Sequence, residues 1–258
     1  MERLGKQKKA FEINGNALRA FALLFLAAGI IGRGIILTHL LGIKQMTTAQ
    51  VLELMGASDT NMTLVTASLI LQALETCAVP FFALMLVEGV THTSDFKAYL
   101  IRVLELAVLC EIPYNLLFSG KVFDLSSRNP VFGILFGMAL LYFYRLYAEK
   151  GLKNTLIKLA VTAAAVVWCE MLSIEFGSAL ILIVASLWPN REKPLYRNLT
   201  GATMSIVCTM ISPFFMASPM SFLAIHFYNG EKSTNSRKIN YLAYPALLLI
   251  AAVIGMVL

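Results

Sequence analysis

The 258-residue chain is 58% hydrophobic and only 14% charged, with a mean hydropathy of +0.73, whereas soluble globular domains carry about one-quarter charged residues. That balance argues against a water-soluble protein and for one compact membrane domain over 1–258, since no polar stretch is long enough to form a second. The net charge of +6 would suggest acidic partners in a soluble protein; here loop orientation accounts for it, the lipid bilayer is the expected partner, and no nucleic acid is expected.

A crossing needs roughly 20 apolar residues, and helices satisfy their backbone groups without water. Apolar segments fall at about 15–42, 62–90, 97–118, 129–148, 155–172, 174–189, 199–216, 217–229 and 240–258. The expected fold class is therefore all-α, a polytopic transmembrane helical bundle of about 8–9 segments. Arg3, Lys6, Lys8 and Lys9 precede the first segment, and no small-residue cleavage site ends it, so it is not expected to be a cleaved signal.

In the loop 43–61, Thr47 and Gln50 have capping-box spacing before Val51, Leu52 and Leu54, which predicts a short amphipathic helix. In the second segment, Asn61, Ser68, Gln72 and Glu75 fall on one helical face that should meet protein or water rather than lipid. In the third, Arg102 and Glu105 are three apart and expected to pair. Glu111 and Asn115 are four apart, with Pro113 between them as a candidate kink. The stretch 199–229 reads as two short segments broken near Pro213 and Pro219.

Loop charges support that count. With the N-terminus cytoplasmic, fourteen Lys and Arg residues lie on the inner side, among them Arg145, Lys150, Arg191 and Arg197. The outer side has three: Lys44, Lys121 and Arg128. This is the positive-inside bias, and only a split at 199–229 returns the basic loop 230–239 to the cytoplasm.

The cysteines Cys77, Cys110, Cys169 and Cys208 sit in apolar runs and read as small buried hydrophobes. No Cys-x-x-Cys or His-x-x-x-His spacing suggests a metal site. Ionisable residues at membrane depth are functional candidates, and Arg33, Glu75, Glu111 and Glu170 are the ones that stand out. At about 1.5 Å per residue, Arg33 lies roughly 27 Å from the inner end of its segment, and the three carboxylates about 21–23 Å from theirs. One arginine among three carboxylates predicts a single polar cluster. Glu111, with Asn115 on its face, is the expected partner of Arg33.

Longer motifs carry a resemblance. "VPFFALMLVEGVTHTSDFKAYLIRVLELAVLCEIPYNLLFSG" (79–120), "RNPVFGILFGM" (128–138), "IEFG" (174–177), "FYNGEK" (227–232) and "INYLAYP" (239–245) resemble, in order, the signature elements of the TraX family of membrane proteins. The resemblance adds Asn129 and Glu175 to Glu75, Asn115 and Glu170 as candidate binding residues. It implies transfer of an acetyl group from acetyl-CoA to a conjugative pilin or surface-polymer acceptor at a bacterial plasma membrane. The family's Asp-His position in the first helix is Gly29-Ile30 here, and a later family histidine is Leu247. With those imidazoles missing, Glu111 is the candidate base and Arg33 the candidate oxyanion or carboxylate ligand. The alternatives are a non-catalytic membrane binding or assembly partner, and a transporter. No phosphate-binding loop of the GxxxxGK[ST] kind is present, so CoA would have to use basic loops or a cavity.

Overall fold

A computed structural model describes residues 12–43, 47–231 and 237–258. The described residues are mostly helical, with no strands. The first helix, α1 (Gly15–Gly29), starts on the Asn14 side chain, which accepts from the backbone N–H groups of Asn16 and Ala17. It continues without a break into a π-helical segment, Ile30–Leu40. The expected amphipathic helix follows as α2 (Thr48–Ala57), with both halves of the Thr47–Gln50 capping box formed.

The apolar run 62–90, expected as one segment, is two helices. These are α3 (Asp59–Glu75) and α4 (Ala78–His92), which meet at Thr76 and Cys77. At that break the Thr76 hydroxyl donates to the Phe214 carbonyl at 3.0 Å, and the Ser221 hydroxyl donates to the Cys77 carbonyl at 2.6 Å. The broken backbone is thus completed by a distant piece of chain, the general requirement for interrupted helices at membrane depth.

Helix α5 (Phe96–Ser119) is capped by Asp95, runs through Pro113, and ends at Gly120 in the left-handed conformation (φ 70°). Then come α6 (Val131–Leu146), α7 (Leu152–Met171), α8 (Gly177–Leu187) and α9 (Pro194–Val207). After α9 the chain turns at Ser212, whose backbone is extended, and runs on through the 3-10 segment Pro213–Met220 into α10 (Ser221–His226). The last helix is α11 (Arg237–Val257).

Helix α8 lies at the centre, packed by α4, α6, α7 and α9. Its sequence GSALILIVASL is apolar all round, and Ala179, Leu180, Ile181, Ile183, Val184 and Leu187 are all buried, as expected of a helix with no solvent face. Helix α7 is the opposite case. Leu156, Leu159, Val167 and Trp168 are exposed, and only 11% of its most apolar window is buried. An uncovered apolar surface of that kind marks a membrane or protein contact. Three helical stretches are long and apolar enough to cross a membrane: Gly15–Leu40, Asp59–His92 and Leu152–Met171. Val131–Leu146, Gly177–Asn190 and Tyr241–Val257 are shorter apolar helices.

Helix ends collect on two sides. On the side where α1 begins, Ile13 N–H bonds the Phe227 carbonyl and Asn229 N–H bonds the Ile13 carbonyl, at 2.9 and 3.0 Å. There too Arg197, at the start of α9, pairs with Glu88, near the end of α4, at 3.4 Å. On the far side, Arg128 N–H bonds the Ser173 carbonyl and Glu175 N–H bonds the Arg128 carbonyl, tying the α5–α6 connection to the α7–α8 turn.

Candidate functional site

The π-helical segment explains how Arg33 sits inside the bundle. A π-helix bonds i to i+5 and is frequently met at functional sites. Here its backbone is supplied with side-chain hydroxyls: Ser68 donates to the Gly32 carbonyl at 2.8 Å and Thr38 to the Arg33 carbonyl at 2.9 Å. Gln72 in turn donates to the Ser68 hydroxyl at 3.1 Å. Ser68, Gln72 and Glu75 are all buried, so the polar face expected on this stretch does turn toward protein.

The Arg33 guanidinium forms an ion pair through Nη2 with Oε1 of Glu175. It also lies over the Phe118 ring, 4.0 Å from its centre, an arrangement that adds cation–π attraction. Its Nε is buried without a hydrogen-bond partner among the described residues. Glu175 comes from the short connection between α7 and α8. Two non-glycine residues there, Ser173 (φ 50°) and Phe176 (φ 56°), adopt the left-handed conformation. Such backbone is disfavoured and persists where the surrounding structure requires it, often at functional sites. Here the two turns fold Glu175 back into the bundle, where its side chain is 8% exposed.

Glu75, at the end of α3, is also buried, and Arg33 and Glu175 are the charges that act on it. Its carboxyl fills the space beside Gly29 that any side chain at position 29 would need. The absence of a side chain at Gly29 is therefore what admits Glu75. Tyr114 and Tyr244 complete the site. Both are buried and within electrostatic reach of Glu175, and the Tyr114 hydroxyl is 2.8 Å from the Ser127 hydroxyl.

The expected four-residue cluster is thus half present. Arg33 and Glu75 come together; Glu111 and Glu170 do not join them. Glu111 accepts from Asn129 Nδ2 at 2.6 Å and faces Arg128 at 3.5 Å. Asn129 is fully buried, also donates to the Ala107 carbonyl, and accepts from Val131 N–H. These three residues clamp the start of α6 to α5. Asn115 is buried but donates to the Val122 carbonyl at 3.4 Å, so it organises the loop after α5 rather than Glu111. Glu170 is exposed on α7. Arg102 and Glu105 form no ion pair; Glu105 is exposed and Arg102 turns into a cavity.

That cavity, of about 610 Å3, links the parts of the site. Its mouth lies on the side where α1 begins and is lined by Arg19, Glu88, His92, Tyr99, Arg102 and Tyr241; its inner end reaches Glu175 and Tyr244. The lining between is largely apolar, as with Leu26, Val79, Met85 and Leu106. No histidine lies at the inner end: His39 bonds the Leu117 carbonyl at 2.9 Å, His92 is at the mouth, and His226 packs edge-on against Phe227. All four cysteines are free and buried, and no metal-binding group of His, Cys, Asp and Glu exists among the described residues.

Sequence reasoning missed the Arg197–Glu88 pair, because Arg197 counts there as a loop charge and Glu88, near the inner end of the segment 62–90, is not singled out. Arg197 is 5% exposed, and the only hint was its place at the start of an apolar run.

Apolar outer helices around an internal charged cavity define a helical membrane protein. The family model described as TraX protein matches residues 48–255, and the chain belongs to the TraX family. No curated protein and no solved structure matches it.

Proposed function

We propose that this TraX-family chain is a multi-pass membrane acetyltransferase of the bacterial plasma membrane, with its N-terminus in the cytoplasm. It would move an acetyl group from acetyl-CoA to an amine or hydroxyl of a pilin-like or surface-polymer acceptor. The observation that carries this reading is the cavity of about 610 Å3 that joins a basic, tyrosine-lined mouth to Glu175, the partner of Arg33. Cavities of about 300–1,000 Å3 are the usual size for small-molecule sites. With the N-terminus inside, the mouth would open to the cytoplasm, where CoA is found; the loop-charge bias supports that orientation.

In this reaction the acceptor nitrogen or oxygen bonds to the acetyl carbon, the carbon–sulfur bond breaks, and CoA leaves as the thiol while the acceptor loses a proton. A positioned base assists such a step, and Glu175 with Glu75 behind it are the carboxylates nearest the inner end of the cavity. Arg33 Nε, without a hydrogen-bond partner among the described residues, is a donor for charge developing on the thioester oxygen. Glu111, held by Asn129 and Arg128, has a structural role in this account.

A second reading, a membrane binding or assembly partner without catalysis, is favoured by one observation: none of the three histidines lies beside Arg33 and Glu175. The experiment incubates the full chain, in lipid nanodiscs, with labelled acetyl-CoA and an acceptor-bearing membrane fraction. The acetyltransferase reading expects CoA release and labelled acceptor, reduced about 100-fold or more in Glu175→Gln. A folded protein that neither releases CoA nor transfers label overturns it and leaves the binding reading.

A further inference from the structure

Arg19 and Arg102 differ from Arg33, Arg128, Arg145, Arg191 and Arg197. Arg33, Arg128, Arg191 and Arg197 each face a carboxylate, and Arg145 donates to the Val90 carbonyl. Arg19 and Arg102 have no such partner among the described residues. Both are half-buried, both line the cavity mouth, and both lie within electrostatic reach of Tyr99. They come from different helices, α1 and α5, so the fold brings together two cations that would otherwise repel. The carboxylate at the mouth, Glu88, is already engaged, facing Arg197 and His92 at 3.4 Å each. It does not neutralise the pair.

We infer that Arg19 and Arg102 are a phosphate grip at the mouth of the cavity, holding the nucleotide end of a thioester carrier while its acyl end reaches Glu175. This rests on the acetyl-transfer reading above and assigns it a binding site. Guanidinium groups present planar pairs of donors that match phosphate oxygens. Tyr99 and Tyr241 beside them offer flat faces to a purine, a sequence-tolerant mode of base binding.

The length of the cavity agrees. From Arg102 to Tyr114, which stands beside Glu175, α5 rises about 18 Å at 1.5 Å per residue. An extended phosphopantetheine arm has about fourteen bonds from phosphorus to acyl carbon. At about 1.2 Å of advance per bond, as in an extended peptide, it reaches about 17 Å. The apolar middle of the cavity suits such an arm, and the charges stand only at its ends.

A lipid headgroup would bring the same phosphate chemistry, so the test separates the two sources. The full chain in zwitterionic nanodiscs is titrated with CoA and with adenosine 3′,5′-bisphosphate, which has the nucleotide but no arm or thiol. Both ligands should bind. Arg19→Gln and Arg102→Gln should each weaken both about tenfold, the scale of one charged hydrogen-bonding group. Arg19→Lys and Arg102→Lys should retain part of the affinity, and the thermal stability of each variant verifies its fold. If the bisphosphate binds and the glutamine variants lose it, but no acetyl group is ever transferred, the grip stands and the transferase reading falls. Unchanged affinity in both glutamine variants overturns the grip. So does competition by phosphatidylglycerol nanodiscs without any binding of the bisphosphate, which would make the pair a lipid site.

Discussion

The guanidinium of Arg33, in the π-helical continuation of α1, is paired with the carboxylate of Glu175, from the turn that precedes α8. The contact joins the first membrane-length helix to the centre of the bundle. Glu175 is the buried member, with its side chain 8% exposed against 31% for Arg33; leaving a buried charge without its partner typically costs about 3–5 kcal/mol, whereas replacing both with apolar groups is often near neutral. Arg33→Leu should therefore lower thermal stability in detergent markedly. Arg33→Leu with Glu175→Leu should recover part of the loss. Because Glu111 is held elsewhere, Arg33→Leu with Glu111→Gln should recover none. Recovery by the Glu111 change and not the Glu175 change would mean the ion pair described here is not the one that matters.

Gly29 and Glu75 give a second test. A methyl group at position 29 would occupy the space of the Glu75 carboxyl, and overpacking of this kind typically costs about 1–3 kcal/mol. Gly29→Ala should destabilise the protein by about that amount. Glu75→Ala, which vacates the space, should make a following Gly29→Ala nearly neutral. Thermal unfolding of the two single variants and the double variant closes the cycle. Additive losses would show that the two positions do not compete for one space.

Orientation can be read directly. Lys121 follows α5 and Lys150 precedes α7, at helix ends on opposite sides of the bundle. In a background with Cys77, Cys110, Cys169 and Cys208 replaced, Lys121→Cys should react with an impermeant thiol reagent in intact cells. Lys150→Cys should react only after permeabilisation. The reverse labelling pattern would invert the topology and put the cavity mouth outside, away from CoA.

Much of the architecture follows from local pattern. Apolar runs of helical length leave no other way to satisfy the backbone in lipid. The Thr47–Gln50 spacing specifies a helix start that needs only neighbouring atoms, and it forms. The polar stripe on α3 is inward for the same reason: Ser68, Gln72 and Glu75 recur at helical period, and their burial follows from the cost of facing lipid. The importance of Arg33 was likewise legible, as a lone cation deep in an apolar run.

The partner of that cation was not legible, because depth along a helix says nothing about rotation around it. Glu111, Glu170 and Arg33 read as neighbours when each helix is treated as a straight ruler. Packing then turns Glu111 toward Asn129 and Arg128, and leaves Glu170 on the exposed face of α7. The π-helical segment changes the angular step between residues, so the direction of Arg33 cannot be projected from the start of α1. Glu175 reads as the start of the apolar segment 174–189, yet it lies in the connection before α8, where left-handed backbone at Ser173 and Phe176 folds it inward. The composition and hydropathy of the chain determined by themselves that it is a helical membrane protein with a charge at its heart. Which carboxylates meet that charge, and that a cavity leads to them, was decided by contacts between helices far apart in sequence, where rotation, backbone strain and the missing side chain of Gly29 fix what fits.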